Sequence, residues 1–276
     1  FERQLKRFNI RVSGPDCDKV EKFFSSTETA VLFPEYVTRC IRKGFDETVL
    51  ASVCAAKTVS ESSQYLGCVL TDTAQYTTTT QAQLLPEATV YEGTTPVTLE
   101  KFGRRISASY EAVRKQRLDV FGVMLRSIGV KLASSVVKKA VTVLSENAQG
   151  ISTSDLTYAD LAELYGQFEY FDMTAVIASP ANASKIAAME QLKNTRADND
   201  GRIVLPFGSE LIKSSAAADS TIIGIDKSFA LEFITSSDLV LETDKLIDRQ
   251  LDQITVSITC GFRKITPEAV KVLTIS

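Results

Sequence analysis

From Leu118 to Leu144 the chain runs without a proline, and Phe121, Leu125, Ile128, Leu132, Val136, Ala140 and Val143 recur at intervals of three or four residues. This spacing predicts one helix of about 27 residues and about 40 Å, as long as a small domain is wide. Every other element must then be arranged along it. Its opposite side carries Ser127, Lys131, Ser134, Ser135 and Lys138, again at helical spacing. Gly122 and Gly129 each cost up to about 1 kcal/mol relative to alanine, so they either permit close backbone packing or mark a bend. Uninterrupted apolar runs such as Thr174–Ala178 fall well short of the ~18 residues of a membrane span, and no spanning segment is expected.

The sequence before this helix is divided by charge. Residues 58–100 are crowded with threonine, hold no Lys or Arg, and carry only acids: Glu61, Asp72, Glu87, Glu92 and Glu100. β-branched enrichment, with Pro86, Gly93 and Pro96 as breakers, predicts a long two-stranded hairpin. Such a hairpin is marginal in isolation and needs a surface to lie on. Residues 101–117 reverse the sign, with Lys101, Arg104, Arg105, Arg114, Lys115 and Arg117 against Glu111 alone. This run reads either as a solvated basic face or as the counterpart of the acidic block. The formal net charge of −3, from 31 basic and 34 acidic residues, conceals the segregation and leaves no global basic field for nucleic acid.

Upstream, Leu32–Gly44 predicts a short helix with Pro34 in its opening turn, inside an otherwise extended arm over residues 1–57. Downstream, a helix begins after Ser154 or Thr157 as its cap. Thr174–Ala178 reads as a buried strand, turned by Ser179-Pro180-Ala181-Asn182 into a helix from about Ala183 to Lys193. Turns follow at Asn199–Arg202 and Leu205–Gly208, then strands at 221–225, 239–242, 253–258 and 269–273. The fold class is α+β without regular βαβ repeats, which argues against a doubly wound parallel sheet.

Catalytic chemistry is narrowed by what is missing. The chain has no histidine, so no Ser-His-Asp or Cys-His relay is available, and a zinc site would lack its commonest neutral ligand. Neither a G-x-G-x-x-G loop, a Walker A loop nor a G-x-S-x-G elbow occurs. The carboxylates are scattered, and no Ser–Lys pair stands out. No cofactor or metal site is expected. Five cysteines, Cys17, Cys40, Cys54, Cys68 and Cys260, are odd in number and widely spaced, and read as buried free thiols of a reducing compartment. Asn182-Ala183-Ser184 fits a glycosylation acceptor by chance. Phe1 is preceded by no Met and followed by no apolar stretch, which reads as a trimmed start and not a signal peptide.

Taken in order, these elements resemble the tailed-bacteriophage major capsid proteins, whose shell fold is shared with encapsulin nanocompartments and herpesvirus capsid floors. The resemblance rests on an arm containing Leu32-Phe33-Pro34-Glu35-Tyr36 and a polar hairpin at 58–100, where the family has its extended loop. Ile106–Glu111 leads into the helix at 118–144 as the family's entry segment leads into its spine helix. Ala175–Pro180 with the helix ending Met189–Lys193, then Leu205–Gly208 before Ile222–Asp226, and finally Ile254 through Pro267, match the later parts.

The resemblance implies an N-terminal arm (1–57), an extended loop (58–100), a peripheral domain (101–150 and 241–268) and an axial domain (151–240 and 269–276). It implies a structural protein, not an enzyme, that forms hexamers and pentamers and closes an icosahedral head around double-stranded DNA. Assembly would take place in the bacterial cytoplasm and the product would be the virion. Portal and possible decoration proteins would be partners, as would a scaffold segment or protease before maturation; no membrane is involved. The expected inter-subunit contacts are Glu61, Asp72, Glu87 and Glu92 against Lys101, Arg104, Arg105, Arg114, Lys115 and Arg117, or against the arm's Arg3, Lys6, Arg7 and Arg11. Lys131 and Lys138 either face packaged DNA or are simply solvated. Some members cross-link a loop Lys to an Asn beside a Glu near the last strands. Here 58–100 has no Lys, and 243–267 has neither Asn nor Glu, only Gln250 and Gln253, so a non-covalent shell is expected. An encapsulin-like compartment, or a soluble enzyme using Ser/Lys or carboxylates, are the alternatives.

Overall fold

A computed structural model describes residues 1–47, 53–71, 78–85, 87–192, 203–246 and 251–276. Asp72, Thr77, Pro86, Lys193, the Asn199–Arg202 turn and Gln250 lie outside the described residues.

Much of the first 47 residues is helical, where one short helix in an otherwise extended arm was expected. Helix α1 covers Glu2–Arg7, a 3-10 turn covers Val20–Phe24, α2 covers Thr27–Ala30 and α3 covers Leu32–Asp46. Pieces this short show too little periodicity to read. The local signal is chemical instead: Ser26 and Thr29 form a reciprocal capping box at the start of α2. Leu5, Ile10, Val20 and Phe23 are buried in the same core as α3, and Phe23 and Phe121 both pack near Phe33, at 5.8 and 6.1 Å.

After a strand β1 (Ala56–Val59) come the hairpin strands β2 (Gln64–Tyr65), β3 (Cys68–Thr71), β4 (Thr89–Glu92) and β5 (Val97–Thr98). Strand β6 (Glu100–Ser109) and helix α4 (Tyr110–Arg114) then lead into α5, Leu118–Ser145. Helix α5 is unbroken, and its two glycines serve packing. A Cβ at Gly129 would lie 2.1 Å from the Ile41 carbonyl oxygen, and one at Gly44 would lie 2.1 Å from that of Arg126. The backbones of α3 and α5 therefore touch where both sequences offer glycine. Tyr36 Oη, near Gly122, closes the top of the seam by donating to the Leu118 carbonyl at 2.5 Å. Helix α5 is long and apolar enough, by composition, to cross a membrane, a property that the count of uninterrupted apolar runs does not register. Leu118, Leu125, Leu132, Val136, Ala140 and Leu144 are nonetheless buried within the protein.

The rest of the chain adds β7 (Gln149–Thr153), α6 (Tyr158–Gly166), β8 (Ala175–Ala178), α7 (Pro180–Ala187), β9 (Glu210–Lys213), β10 (Thr221–Ile225), β11 (Leu231–Thr235), β12 (Val240–Leu246), β13 (Leu251–Lys264) and β14 (Val270–Ile275). Thr157 caps α6 through a box with Asp160. Helix α7 starts earlier than expected, because Ser179 Oγ accepts from Asn182 N and Pro180 suits the first turn. Asn182 is itself buried and donates Nδ2 to the Asp219 carbonyl at 2.8 Å, so the sequon is inaccessible in the fold.

Two sheets result. In the first, β13 pairs with β11 and β12 along one edge and with β6 along the other, and β1 runs parallel beside β11. In the second the order is β7-β14-β10-β8-β9. Alternation divides its residues: Ala175, Ile177, Ile223 and Ile225 join the core shared with α5, whereas Val176, Ala178, Ile222 and Leu273 pack under α6 and α7. Strands β11 and β12 lie in one sheet, so residue 240 marks no change of sheet.

Candidate functional site

The acidic hairpin is the least supported part of the molecule. It spans Gln64 to Thr98 in two ladders, β2 with β5 and β3 with β4, while β1, at the start of the expected hairpin, belongs to the first sheet. Leu70 and Val90 stand opposite each other in the upper ladder and are 65% and 64% exposed, and Leu84 is 97% exposed. No other part of the described chain covers them. Glu61, Glu87 and Glu92 are exposed and have no ion pair among the described residues. Glu100 differs, since its carboxylate accepts from Lys139 of α5 at 2.6 Å.

The foot of the hairpin is held by a buried polar cluster that no sequence motif announces. Glu232 on β11 is 5% exposed. Its Oε1 accepts from Thr58 Oγ1 at 2.6 Å and Tyr65 Oη at 3.0 Å, and its Oε2 accepts from Arg263 Nε and Nη2 at 3.0 and 2.8 Å. Arg263 Nη1 reaches on to the Cys68 carbonyl at 2.7 Å. Burial pushes the Glu232 carboxyl up, but hydrogen bonds from Thr58, Arg263 and Tyr65 and the Arg263 charge outweigh it and hold the group below its usual range. Burial, then the Glu232 carboxylate it faces, push the Tyr65 phenol up. Gly67 admits the guanidinium, for a Cβ there would lie 2.1 Å from Arg263 Cζ. The only sequence signal is one acid and one arginine within two β-branched, apolar strands.

The basic segment is not one face. On β6, alternation turns Glu100 and Arg104 toward α5, where Arg104 Nη2 donates to Ser135 Oγ at 3.3 Å. Lys101 and Arg105 fall on the other face, exposed and without an ion pair among the described residues. Arg114 stacks on Phe24 at 5.0 Å, and Lys115 is exposed. Arg117 pairs with Asp119 at 2.7 Å and donates to the Gly14 carbonyl at 3.1 Å; its hydrogen bond holds the Asp119 carboxyl below the usual range. Arg104, Arg114 and Arg117 are thus engaged within their own chain, and Lys101, Arg105 and Lys115 are the cations left outward. In the arm, Arg11 pairs with Asp16 at 3.0 Å, Arg7 lies over Phe8, and Arg3 and Lys6 are exposed.

Lys131 and Lys138 are exposed on α5, as are Ser127 and Ser134, while Ser135 is half-buried. Earlier along that face Val120, Val123, Met124 and Val130 are also exposed, so the polar side expected of the helix begins only around Lys131. The five cysteines are free. Burial raises Cys54 and Cys260 to about 12, whereas Cys68 is exposed on the hairpin, unlike the buried thiol expected there. A small cavity behind α5 is lined by Val53, Val137, Ala140, Val141, Leu144, Ile177 and Ser214, an aliphatic lining with one hydroxyl.

The fold as a whole, taken over most of the chain, superposes on known shells. The capsid of cyanophage P-SCSP1u superposes with a TM-score of 0.60 at 12% identity, covering 83% of this chain and 88% of that one. A virus-like particle from Pyrococcus furiosus gives 0.60 at 12% identity, over 87% and 98%. The holo-SrpI encapsulin complex from Synechococcus elongatus PCC 7942 gives 0.59 at 13% identity, over 80% and 84%. A search of curated proteins found no match. At such low identity the structures speak for the fold alone, which is that of the phage capsid shell. The sequence itself carries the ancestry: a family model described as phage capsid protein matches residues 91–263, from β4 through the hairpin's return strand and both sheets to Arg263. The chain belongs to the phage capsid protein family.

Proposed function

We propose that this chain is the major shell subunit of a phage head, assembling as hexamers and pentamers into an icosahedral shell around double-stranded DNA, and acting through contacts, not catalysis. The observation that carries this is the hairpin: among the described residues, an exposed two-stranded element with apolar Leu70, Leu84 and Val90 and unpaired Glu61, Glu87 and Glu92 has no surface of its own chain to rest on. A second copy supplies both complements. Lys101, Arg105 and Lys115 offer charge, each exposed ion pair contributing about 0–1 kcal/mol and weakening with salt. Asp72 joins the same acidic set by sequence. Lys131 and Lys138 face the packaged DNA as sequence-independent phosphate contacts. A portal, and a scaffold segment or protease before maturation, complete the proposed partners, and the virion is the destination.

Negative-stain electron microscopy of purified protein tests the proposal. Closed shells or ring-shaped capsomers are expected, and a protein that stays monomeric at all concentrations and salt strengths overturns it. The likeness to an encapsulin supports a second reading, a compartment shell. Nuclease-protected DNA inside shells formed in the host favours the head, and a co-purifying enzyme without DNA favours the compartment.

A further inference from the structure

On α5 the cations that reach toward other elements are paired, and those on the outward side are not. Between Asp119 and Glu146 the chain has no acid. Arg126 pairs with Glu47 at the end of α3, and Lys139 with Glu100 of β6, each at 2.6 Å. Lys131 and Lys138 are exposed and have no ion pair among the described residues. The exposed side of the helix is one band of about 120° at 3.6 residues per turn, and it changes character along its length. Val120, Val123, Met124 and Val130 make the first half apolar, whereas Lys131, Ser134, Lys138 and Thr142 make the second half polar. A third cation reaches this second half from another strand. Alternation on β6 turns Arg104 toward α5, where its Nη2 donates to Ser135 Oγ at 3.3 Å; that hydroxyl in turn donates to the Lys131 carbonyl at 3.3 Å. The bond uses one of the five guanidinium N–H groups, and Arg104 stays exposed, with no ion pair among the described residues. Its contact at Ser135 lies between Lys131 and Lys138, which are about 10 Å apart along the helix axis.

We propose that Arg104, Lys131 and Lys138 form one binding site for the phosphate backbone of double-stranded DNA, confined to the second half of α5. This deepens the reading of the chain as a head subunit around DNA and rests on it. It adds Arg104, which the sequence places among the contacts between copies, and it ends the site where the helix turns apolar. The dimensions agree. One strand of a duplex carries a charge every 3.4 Å of axis, so about 10 Å presents about three phosphates to three cations. Arg104 is suited to take a phosphate through two parallel N–H groups, and the lysines act as point charges. Lys138 lies about two turns before the end of α5, outside the last turn in which the helix dipole repels an anion. Contacts of this kind position the duplex and carry no base readout.

The test is fluorescence anisotropy of a short labelled DNA duplex with dissociated full-length subunits, titrated from about 50 to 200 mM salt. Neutralising three phosphates gives a slope of about −2.7 in log affinity against log salt, a loss of about 40-fold over that range. Arg104→Gln, Lys131→Gln and Lys138→Gln should each bring the slope to about −1.8, a loss of about 12-fold. Lys101→Gln and Arg105→Gln remove the same charge from the opposite face of β6 and should leave the parent's slope unchanged. All of these side chains are exposed, so the variants are expected to fold. A slope untouched by the first three substitutions, or lowered equally by all five, overturns the proposal. So does poly-glutamate that displaces the labelled duplex at a lower charge concentration than unlabelled duplex does, since that marks a site for an acidic protein segment. Because free subunits are measured, the outcome is separate from assembly. A subunit that forms DNA-filled heads without these slopes refutes the site and keeps the head; one that shows the slopes and forms no heads does the reverse.

Discussion

Replacing Gly129 with alanine should cost more than a single methyl group suggests. The new Cβ would meet the Ile41 carbonyl oxygen at 2.1 Å, Phe45 N at 2.9 Å and the Ile41 carbonyl carbon at 3.1 Å, where ordinary contact begins at 3.4 Å. All three atoms are backbone of α3, so no side-chain rotation relieves the clash, and α3 must withdraw from α5 by about 1 Å. A gap of that size forfeits roughly a quarter to a half of each dispersion contact along the seam, where Tyr36, Val37, Ile41 and Phe45 are buried. Overpacking of about 3 kcal/mol, less about 1 kcal/mol of improved helix propensity, leaves about 2 kcal/mol of destabilisation. For a chain of this size that lowers Tm by about 4–8 °C. The measurement is thermal unfolding of dissociated subunits, since assembly would add its own stabilisation. Gly166→Ala, at the end of α6 with open space around it, is the control and should not lower Tm. If Gly129→Ala melts within about a degree of the parent, the close crossing of α3 and α5 is not what the two glycines are for.

Four further outcomes can be checked. Glu232→Gln leaves the half-buried Arg263 without its carboxylate and should cost about 3 kcal/mol at neutral pH, read by denaturant melts. Because the folded Glu232 carboxyl lies below its unfolded value, its contribution is complete above about pH 4.3 and disappears as pH falls through the lower folded value; the gap between parent and variant should close only in that acid range. In native protein at pH 8 a thiol reagent should modify Cys68 rapidly and leave Cys54 and Cys260 untouched, and equal rates at all five would contradict the burial described. Boiled, reduced shells should run as monomers on denaturing gels, and a ladder of multimers would disprove the non-covalent reading. Reversing Glu87 and Glu92 to lysine should slow assembly, by light scattering, and reversing Lys101 and Arg105 to glutamate in the same chain should restore it in part; no effect of either pair removes those residues from the interface.

The large apolar periodicities are legible in the sequence alone. The helix at 118–145, the strand at 175–178 and the late strands are governed by spacings of 3.6 and 2, which burial enforces directly. Pieces governed by one or two local hydrogen bonds are not legible in this way: the helices of the first thirty residues depend on caps and on contacts with α5, and α7 starts where Ser179 and Pro180 place it. In the candidate site, the acids of the hairpin can be read from composition. The engagement of Arg104, Arg114 and Arg117 within their own chain cannot, since it depends on β6 turning alternate residues to opposite faces and on where Phe24 and Asp119 come to lie. Glu232 and Arg263 give no signal because they are 31 residues apart in sequence and become neighbours only through the pairing of β11 with β13.

The first sheet has a temporal consequence. Strand β6 pairs along its length with β13, which lies more than a hundred residues further on in the chain. At about 5–20 residues per second a ribosome needs on the order of ten seconds to travel from one to the other. Throughout that interval β6 has an open edge, and Glu232, made 31 residues before Arg263, waits for its arginine only through the last part of it. The strand that closes the edge also delivers Arg263, so a nascent chain cannot secure its hairpin until β13 has been made. An unpaired edge invites pairing with another chain, so truncations ending before β13 should be found aggregated and not incorporated into particles.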